Sequence, residues 1–337
     1  MASPQVVTGA GSNRRTDAAF VRARNGRGFS SAQAVQTLSA VSIGAQAIRA
    51  IGASSRGRVA AVFNRSLYLE FDGGWCCLVG TELGAGPVNI CVLLPGRMDI
   101  VTRNAPIDRV DQGFVIGSRL HVATASARVW TAPIVEWSEE TLIRGLAALD
   151  PLCLDHAPNA GLSRIVWPRS LADPASFELC VAMPVVASLA GWLQRVFERG
   201  APELPPGSIT KLVGLGPGLT PSGDDFLVGM LVVLSLAGRF DLVAAVDQVI
   251  RPTLEEGTGP ISRLHLAAAL DGESSERLHV MVNAVLAGDH DVLASRLVLI
   301  SQVGHCSGWD TLAGAVMVLR VLARTHRSVM AAGRDAG

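Results

Sequence analysis

The sequence is poor in charged residues and has almost no lysine. Charged residues make up 17% of the 337 positions, and Lys211 is the only lysine; an average globular protein has roughly 25%. This low charge, with 49% hydrophobic residues, excludes an intrinsically disordered chain and a coiled-coil rod. Basic and acidic residues balance at 29 each, so no overall basic field attracts nucleic acid. We expect part of the apolar surface to be buried against other protein subunits or a second copy of the chain.

The sequence also lacks a long apolar run and a metal-binding pattern. Its most apolar stretch, FLVGMLVVLSLAG at 226–238, is shorter than the ~18 residues of a membrane span and predicts a buried core helix. The N-terminal residues have no apolar signal segment. Six cysteines form no CxxC pair, and the histidines show no metal-ligand spacing. We therefore expect free thiols, no membrane association, no metal site and a cytoplasmic protein.

The order of patterns along the chain predicts an α+β protein, with an N-terminal β-rich barrel or sandwich module followed by a mainly helical module. We expect a flexible N-terminal tail over 1–31, a helix plus β-rich domain over 32–137, a helical domain over 138–324 and a C-terminal tail over 325–337. In the first domain, residues 32–51 look helical, and short β-rich runs follow over 57–135. The pair Asp72-Gly73 predicts a hairpin turn.

Apolar residues recur at helical spacing in the second domain. Ser138, followed by two glutamates, predicts the start of a helix. We expect this helix to end near Leu149. The Pro-rich stretch 150–174 predicts a loop. The further predicted helices are 184–199, 222–237, 240–250, 260–270, 275–287, 290–302 and 308–324.

A glycine-rich segment, VGLGPGLTPSGDDFLVGM at 213–230, leads into one of these helices. Either Ser222 caps the helix, with Asp225 three residues later, or Thr220 caps it and Pro221 takes the first helical position. In both arrangements several backbone N–H groups at the helix N-terminus have no acceptor within the helix, and such groups form a general binding site for anions. The spacing fits neither a Walker A loop nor a dinucleotide fingerprint. Because Asp224 and Asp225 would repel a bare phosphate, a ligand with an anionic end and an NH2 end suits the segment better.

A second segment repeats this pattern. SGWDTLAGAVMVL, from Ser307, matches SGDDFLVGMLVVL, from Ser222, at seven of thirteen positions. A glycine inside a helix costs about 1 kcal/mol relative to alanine, so Gly229 and Gly314 indicate a close approach of two helices. We expect the two helix starts to face one pocket, with Asp225 and Asp310 on opposite walls. Tight packing of capped helices explains the same glycines without any ligand.

The string GLGPGLTPSGDDFLVG resembles an uncharacterised-domain family that includes the AllH subunit of oxamate carbamoyltransferase. GHCSGWDTLAG at 304–314, GRVAAVFNRSLYLE and GPVNI extend the resemblance over roughly 55–324. It implies a role, alongside partner subunits, in carbamoyl transfer between oxamate and carbamoyl phosphate. Carbamoyl phosphate has a phosphate end and an NH2 end, which agrees with the two-sided site. The family carries Ser or Thr where this chain has Cys306, which weighs against Cys306 as a nucleophile.

Three interpretations follow. The chain is an enzyme subunit that binds a carbamoyl- or phosphate-bearing small molecule such as carbamoyl phosphate or oxamate, a non-catalytic structural subunit, or a Mg²⁺-dependent small-molecule phosphotransferase with Mg²⁺ at Asp224 and Asp225. His305 could act as an acid, a base or an anion donor, or could simply be a hydrogen-bonded turn residue. No cofactor is expected apart from Mg²⁺ under the third interpretation. The candidate catalytic residues are Asp224, Asp225 and His305. The candidate ligand-binding residues are Gly216, Gly218, Thr220, Ser222, Gly223, Ser307, Gly308, Asp310, Asn89 and Arg263.

Overall fold

The first element of the fold is a strand where the sequence predicts a helix. The computed structural model describes residues 35–94, 98, 101–168, 176–200 and 203–335, with side chains up to residue 325; the predicted tail 1–31 lies outside these residues. Strand β1 spans Gln36–Gly44, and only Ala45–Gly52 is helical (α1). The prediction of a helix over 32–51 is therefore wrong for β1. Leu38, Ala40 and Ser42 are buried and their neighbours are exposed between them, which is the two-residue period of a strand.

The N-terminal module is a closed β-barrel, which decides between the predicted barrel and sandwich. Strands β1 to β8 form it in the order β1-β5-β4-β3-β2-β6-β7-β8, and β8 pairs again with β1. A ninth strand, β9, pairs with β1 beyond the end of β8. The other strands are β2 Arg56–Val62, β3 Ser66–Phe71, β4 Gly74–Gly80, β5 Asn89–Val92, β6 Pro106–Val110, β7 Gly113–Ile116, β8 Leu120–Ala123 and β9 Arg128–Trp130.

The predicted hairpin turn at Asp72-Gly73 is confirmed. It joins β3 to β4, and Phe71 pairs with Gly74 directly across the two-residue connection. Asp-Gly is a favoured pair for such turns because the backbone twist of the turn then matches the twist of the two strands. The turn fixes the register that places Tyr68 opposite Cys77.

The second module is helical, as predicted. A capping box at Ser138, whose side chain accepts from the Thr141 N–H, starts the first long helix. That helix ends at His156, and a short helix follows at 163–166, so the predicted loop over 150–174 is partly helical. The last helix continues past Thr325, where the sequence predicts a tail. The helices are α2 Glu139–His156, α3 Ser163–Val166, α4 Phe177–Arg199, α5 Ser222–Leu236, α6 Phe240–Gly257, α7 Pro260–Leu270, α8 Glu276–Ala287, α9 His290–Ser301 and α10 Ser307–Asp335.

Among the described residues, one helix has the length and apolar composition that could cross a membrane, namely α4. Eight of its residues are buried, among them Trp192 and Leu193 in the core of the helical module. Core helices of soluble proteins pass the same test, so a single helix of this kind is weak evidence for a membrane span.

Helices α5 and α10 pack against each other at the two glycines that the sequence analysis pairs. A Cβ on Gly229 would lie 1.8 Å from the Thr311 carbonyl oxygen, and one on Gly314 would lie 1.9 Å from the Phe226 carbonyl oxygen. Each glycine therefore admits the backbone of the other helix. The predicted close approach is confirmed, and it brings the N-terminal ends of the two helices together.

Candidate functional site

The loop that leads into the first Ser-Gly-x-Asp segment meets the first residue of the second segment. The hydroxyl oxygens of Thr220 and Ser307 are 2.8 Å apart and share a hydrogen bond. Thr220 comes from the glycine-rich loop before α5, and Ser307 is the first residue of α10. The predicted meeting of the two helix starts is therefore present, and its contact is a pair of hydroxyl groups.

Neither predicted cap of α5 forms. The residue before the helix is Pro221, Ser222 is the first helical residue, and no side chain caps the N-terminus. Instead the loop folds back, and the Gly223 N–H donates to the Leu215 carbonyl (2.9 Å). At the start of α10 the Gly308 N–H donates to the Val303 carbonyl (3.0 Å). These two N–H groups are therefore already satisfied within the protein.

Asp224 is bound on all sides by groups of the protein itself. It is 1% exposed and accepts hydrogen bonds from the Gly214 N–H (2.9 Å), the Ser262 hydroxyl (2.6 Å) and the Thr258 hydroxyl. Burial raises the pKa of its carboxyl group, and these three donors oppose that rise. Asp224 thus ties the loop and α7 to α5.

Asp310 is likewise held inside the protein. Its side chain is fully buried, and Oδ1 accepts from the N–H groups of Leu162 (2.6 Å) and Ser163 (3.1 Å). Burial raises its pKa to about 6, against the lowering effect of the Ser222 hydroxyl and these N–H groups. Gly161 has a left-handed φ of 77°, and a Cβ there would lie 2.5 Å from the carboxylate. The segment before α3 is therefore shaped around Asp310.

Asp225 differs from both because it lines a cavity. It is 8% exposed, and its Oδ2 is buried without a hydrogen-bond partner in the described part of the chain. Burial raises the pKa of this carboxyl well above its usual value; the Ser307 hydroxyl lowers it and the charges of Asp310 and Asp224 raise it further. These effects favour the neutral carboxylic acid, which both donates and accepts hydrogen bonds.

This cavity, called the central cavity, has a volume of about 360 Å³ and lies between the barrel and the helical module. Its polar lining includes Tyr68, Asn89, Asp225, His265, Arg277 and Ser307. Residues of β3, β5, α5, α7, α8 and α10 thus surround one space. The cavity also has apolar walls, so it is a concave site with a few placed polar groups, as ligand sites commonly are.

A hydrogen bond joins the two modules in the lining of the central cavity. The hydroxyl of Tyr68, the single tyrosine of the chain, lies 3.2 Å from Nε2 of His265. Burial lowers the pKa of His265 to about 4, so its ring is uncharged at neutral pH. Burial also raises the pKa of Tyr68 well above its usual value, and Cys77 and Asp225 add to this. Neither Tyr68 nor His265 is among the candidate site residues. Tyr68 lies in the string GRVAAVFNRSLYLE, which extends the family resemblance without giving this tyrosine a role, and no motif marks His265.

The structure divides the other predicted site residues among several places. Gly308 and Asn89 line the central cavity, and the Asn89 side chain donates to the Gly84 carbonyl. Gly223 and Gly308 pack on backbone, since a Cβ would lie 2.0 Å from Leu212 O and 2.2 Å from Ile300 O, respectively.

A second cavity, of about 610 Å³, shares Thr220 and Ser307 with the first. It is lined by Gly218, Ser222, His305 and Cys306 among others. Burial raises the pKa of the Cys306 thiol to about 11, which keeps it protonated and weighs against a nucleophilic role.

Two further predicted residues lie outside both cavities. Gly216 has a φ of 113°, and its Cα faces the Ser222 backbone, where a Cβ would lie 3.0 Å from the nitrogen. Arg263 lines a separate cavity with Arg49 and Asp271, and its guanidinium donates to the Glu255 carbonyl (2.7 Å). The structure therefore does not bring Arg263 to the two helix starts.

A search for metal sites finds no cluster of three or more His, Cys, Asp or Glu residues within the described ranges. Asp224 and Asp225, the predicted Mg²⁺ ligands, do not face the same space. The Asp224 carboxylate accepts three hydrogen bonds from the protein, and of the two residues only Asp225 lines the central cavity.

Comparison with known proteins places a family match on this part of the chain. Residues 212–319 match the model of a family described as oxamate carbamoyltransferase subunit AllH. The matched region begins at the glycine-rich loop and includes both helix starts, α7 and α8. The barrel lies outside it. No solved structure significantly matches the chain.

Proposed function

We propose that this chain is a subunit of an oxamate carbamoyltransferase and that it binds a carbamoyl- or phosphate-bearing small molecule in the central cavity. The family match supports the first part, because it spans the residues that bring Thr220, Asp225 and Ser307 together. We expect partner subunits or a homo-oligomer and a cytoplasmic location, as a subunit of a metabolic enzyme would have.

Two observations on Asp225 carry the proposal: the residue lines the cavity, and one oxygen of its buried carboxyl has no hydrogen-bond partner among the described residues. A buried polar atom without a partner costs about 1–3 kcal/mol, which a ligand can recover. A neutral carboxylic acid presents one donor and one acceptor side by side. A primary amide presents the complementary pair, its C=O and its NH2, so Asp225 is suited to the carbamoyl end of a ligand.

The hydroxyls of Thr220 and Ser307 complete this end of the site. Each donates or accepts as the ligand requires. When hydrogen phosphate attacks the carbamoyl carbon of an N-carbamoyl oxamate, a C–O bond forms, the C–N bond to oxamate breaks, and the phosphate proton ends on the nitrogen of the released oxamate. The tetrahedral intermediate of this step has an oxygen that needs hydrogen-bond donors. The two hydroxyls can supply them, whereas the N–H groups of Gly223 and Gly308 are occupied. We therefore assign the stabilising role to side chains rather than to the helix N-terminal backbone.

The test is ligand binding by the full chain, by Asp225→Ala and by Asp225→Asn. Oxamate, carbamoyl phosphate and inorganic phosphate are titrated calorimetrically with and without Mg²⁺, and their thermal stabilisation is followed in parallel. We expect the wild type to bind and Asp225→Ala to lose at least ten-fold in affinity, whereas Asp225→Asn retains most of the affinity because its side-chain amide keeps a donor beside an acceptor. Asp291→Asn is the matched control, because its side chain is 85% exposed and lies outside the cavity. Absence of any response from the wild type contradicts the proposal.

A non-catalytic structural subunit is the second candidate, and the packing glycines favour it. Cβ atoms at Gly223, Gly229, Gly308 and Gly314 would all collide with backbone, so these positions are explained by helix packing alone. Under this interpretation Asp225→Asn changes the melting temperature, and no tested ligand shifts that of the wild type. Binding that requires Mg²⁺ would instead favour the phosphotransferase.

A further inference from the structure

We propose that Arg65 and Arg277 form the anion-binding end of the central cavity, so that the carboxylate or phosphate of the ligand faces the barrel side while its amide faces Asp225. The inference rests on the proposed function and names the part of the ligand that each wall recognises. Both arginines line the cavity. Arg277 lies outside the motifs of the sequence, and Arg65 lies in the string GRVAAVFNRSLYLE, which extends the family resemblance without giving this arginine a role.

The ionisable groups that line the cavity leave it positively charged. Among the described residues that line it, Arg65 and Arg277 are the arginines and Asp225 is the only acid. Burial favours the neutral form of Asp225 and keeps His265 uncharged at neutral pH. A cavity whose walls hold two guanidinium groups and a neutral acid attracts an anion with an uncharged polar end.

Arg277 is held firmly in place. It is 6% exposed and lies in the first turn of α8. Its Nη1 donates to the Leu299 carbonyl (3.0 Å), and its Nη2 donates to the Glu82 carbonyl of the barrel module. These bonds join the two modules and fix the guanidinium before any ligand arrives, which reduces the entropy lost on binding.

Arg65 stands near Arg277 without a counter-ion of its own. It lies just before β3 and is exposed, and its side chain has no hydrogen bond or ion pair with the described residues. Burial lowers the pKa of Arg277, and the charge of Arg65 lowers it further, while Glu82 and Glu276 oppose this. Neither glutamate lines the cavity, and Glu276 already accepts from the Ala85 N–H. An anion between the two arginines would relieve their repulsion.

The helix starts offer a weaker alternative for the anion. The Gly223 and Gly308 N–H groups already donate hydrogen bonds to loop carbonyls. They are therefore not free to donate to a phosphate, which is the role that the sequence predicts for the helix starts. A guanidinium group carries a full positive charge and can bind a carboxylate or phosphate with two N–H groups at once, whereas a backbone N–H has neither property. The arginine pair is therefore the better anion site.

The experiment compares oxamate with oxamide, which has a second amide in place of the carboxylate. Calorimetric titrations use the full chain and the variants Arg65→Gln and Asp225→Ala. Arg56→Gln is the control, because Arg56 is exposed and outside the cavity. We expect Arg65→Gln to weaken oxamate binding about ten-fold and leave oxamide binding unchanged. Asp225→Ala should weaken both ligands, and Arg56→Gln neither.

Competition separates the two sources of negative charge. Inorganic phosphate and acetate are titrated against bound oxamate, and displacement by either one at lower concentration identifies the preferred anion. If Arg65→Gln binds oxamate as tightly as the wild type while Asp225→Ala does not, the arginine assignment is overturned and the proposed function stands. If the wild type binds neither oxamate nor carbamoyl phosphate, the proposed function and this inference both fail.

Discussion

The contact between α5 and α10 makes Gly314→Ala a severe test of the fold around the site. A Cβ at position 314 would lie 1.9 Å from the carbonyl oxygen of Phe226 and 3.1 Å from the nitrogen of Met230. Carbon and carbonyl oxygen come no closer than about 3.3 Å without strain. The two helices must therefore separate by on the order of 1.4 Å along this contact.

The magnitude follows from two opposing effects. Overpacking a core costs about 1–3 kcal/mol, and the upper end applies because the obstacle is helix backbone, which cannot rotate away. Alanine gains about 1 kcal/mol over glycine within a helix. We expect a net loss of about 2 kcal/mol in the free energy of unfolding, measured by urea denaturation at constant pH.

Gly191→Ala is the matched control, because Gly191 also lies inside a helix, α4. There the nearest atom to an added Cβ is the flexible Nη1 of Arg195 at 3.7 Å, so alanine fits. We expect Gly191→Ala to be stabilising by about 0.5–1 kcal/mol. Equal stability changes in the two variants, or a Gly314→Ala protein as stable as the wild type, would refute the close packing of α5 and α10.

Three further predictions concern the groups around this contact. The pKa of Asp310 is raised to about 6 in the folded protein, so its ionisation lowers the stability of the wild type as the pH rises from about 4 to 6. Asp310→Asn should therefore become more stable relative to the wild type by roughly 2–3 kcal/mol between pH 4 and 7. A stability difference that does not change with pH in urea denaturation would contradict this. Ser138→Ala should lower the unfolding free energy by about 1 kcal/mol through loss of the cap of α2, which thermal denaturation followed by circular dichroism would detect. A double-mutant cycle of Thr220→Ala and Ser307→Ala should give a coupling energy of about 0.5–1.5 kcal/mol, and strictly additive effects would show that the hydroxyls do not bond.

Much of the helical module could be predicted because each helix carries its own local signals. Helix α7 spans the predicted range 260–270, and α5, α8 and α9 begin or end within a residue or so of their predicted bounds. The pairing of Gly229 with Gly314 could also be inferred, because a glycine inside an apolar helix needs a reason in tertiary packing. The first strand could not be predicted, since the segment 32–51 around it is rich in alanine and glutamine, which suit a helix, and only the closure of the barrel against β5 and β8 makes the strand extended.

The candidate site was only partly predictable, for two physical reasons. Asp224 and Asp225 are neighbours, but successive residues of a helix point about 100° apart, so one faces the loop and α7 while the other faces the cavity. The sequence does not say which one does so. Tyr68, His265 and Arg277 come from β3, α7 and α8, and only tertiary packing brings them together. No local pattern marks His265 or Arg277, and the string GRVAAVFNRSLYLE, which contains Tyr68, does not show that this side chain faces a cavity.

A crystal structure of the full chain with oxamate tests the central claim most directly. We predict that oxamate occupies the central cavity with its amide within hydrogen-bond distance of the Asp225 carboxyl and its carboxylate against the guanidinium groups of Arg65 and Arg277. Oxamate bound instead at His305 in the second cavity, or beside Arg263, would contradict the account.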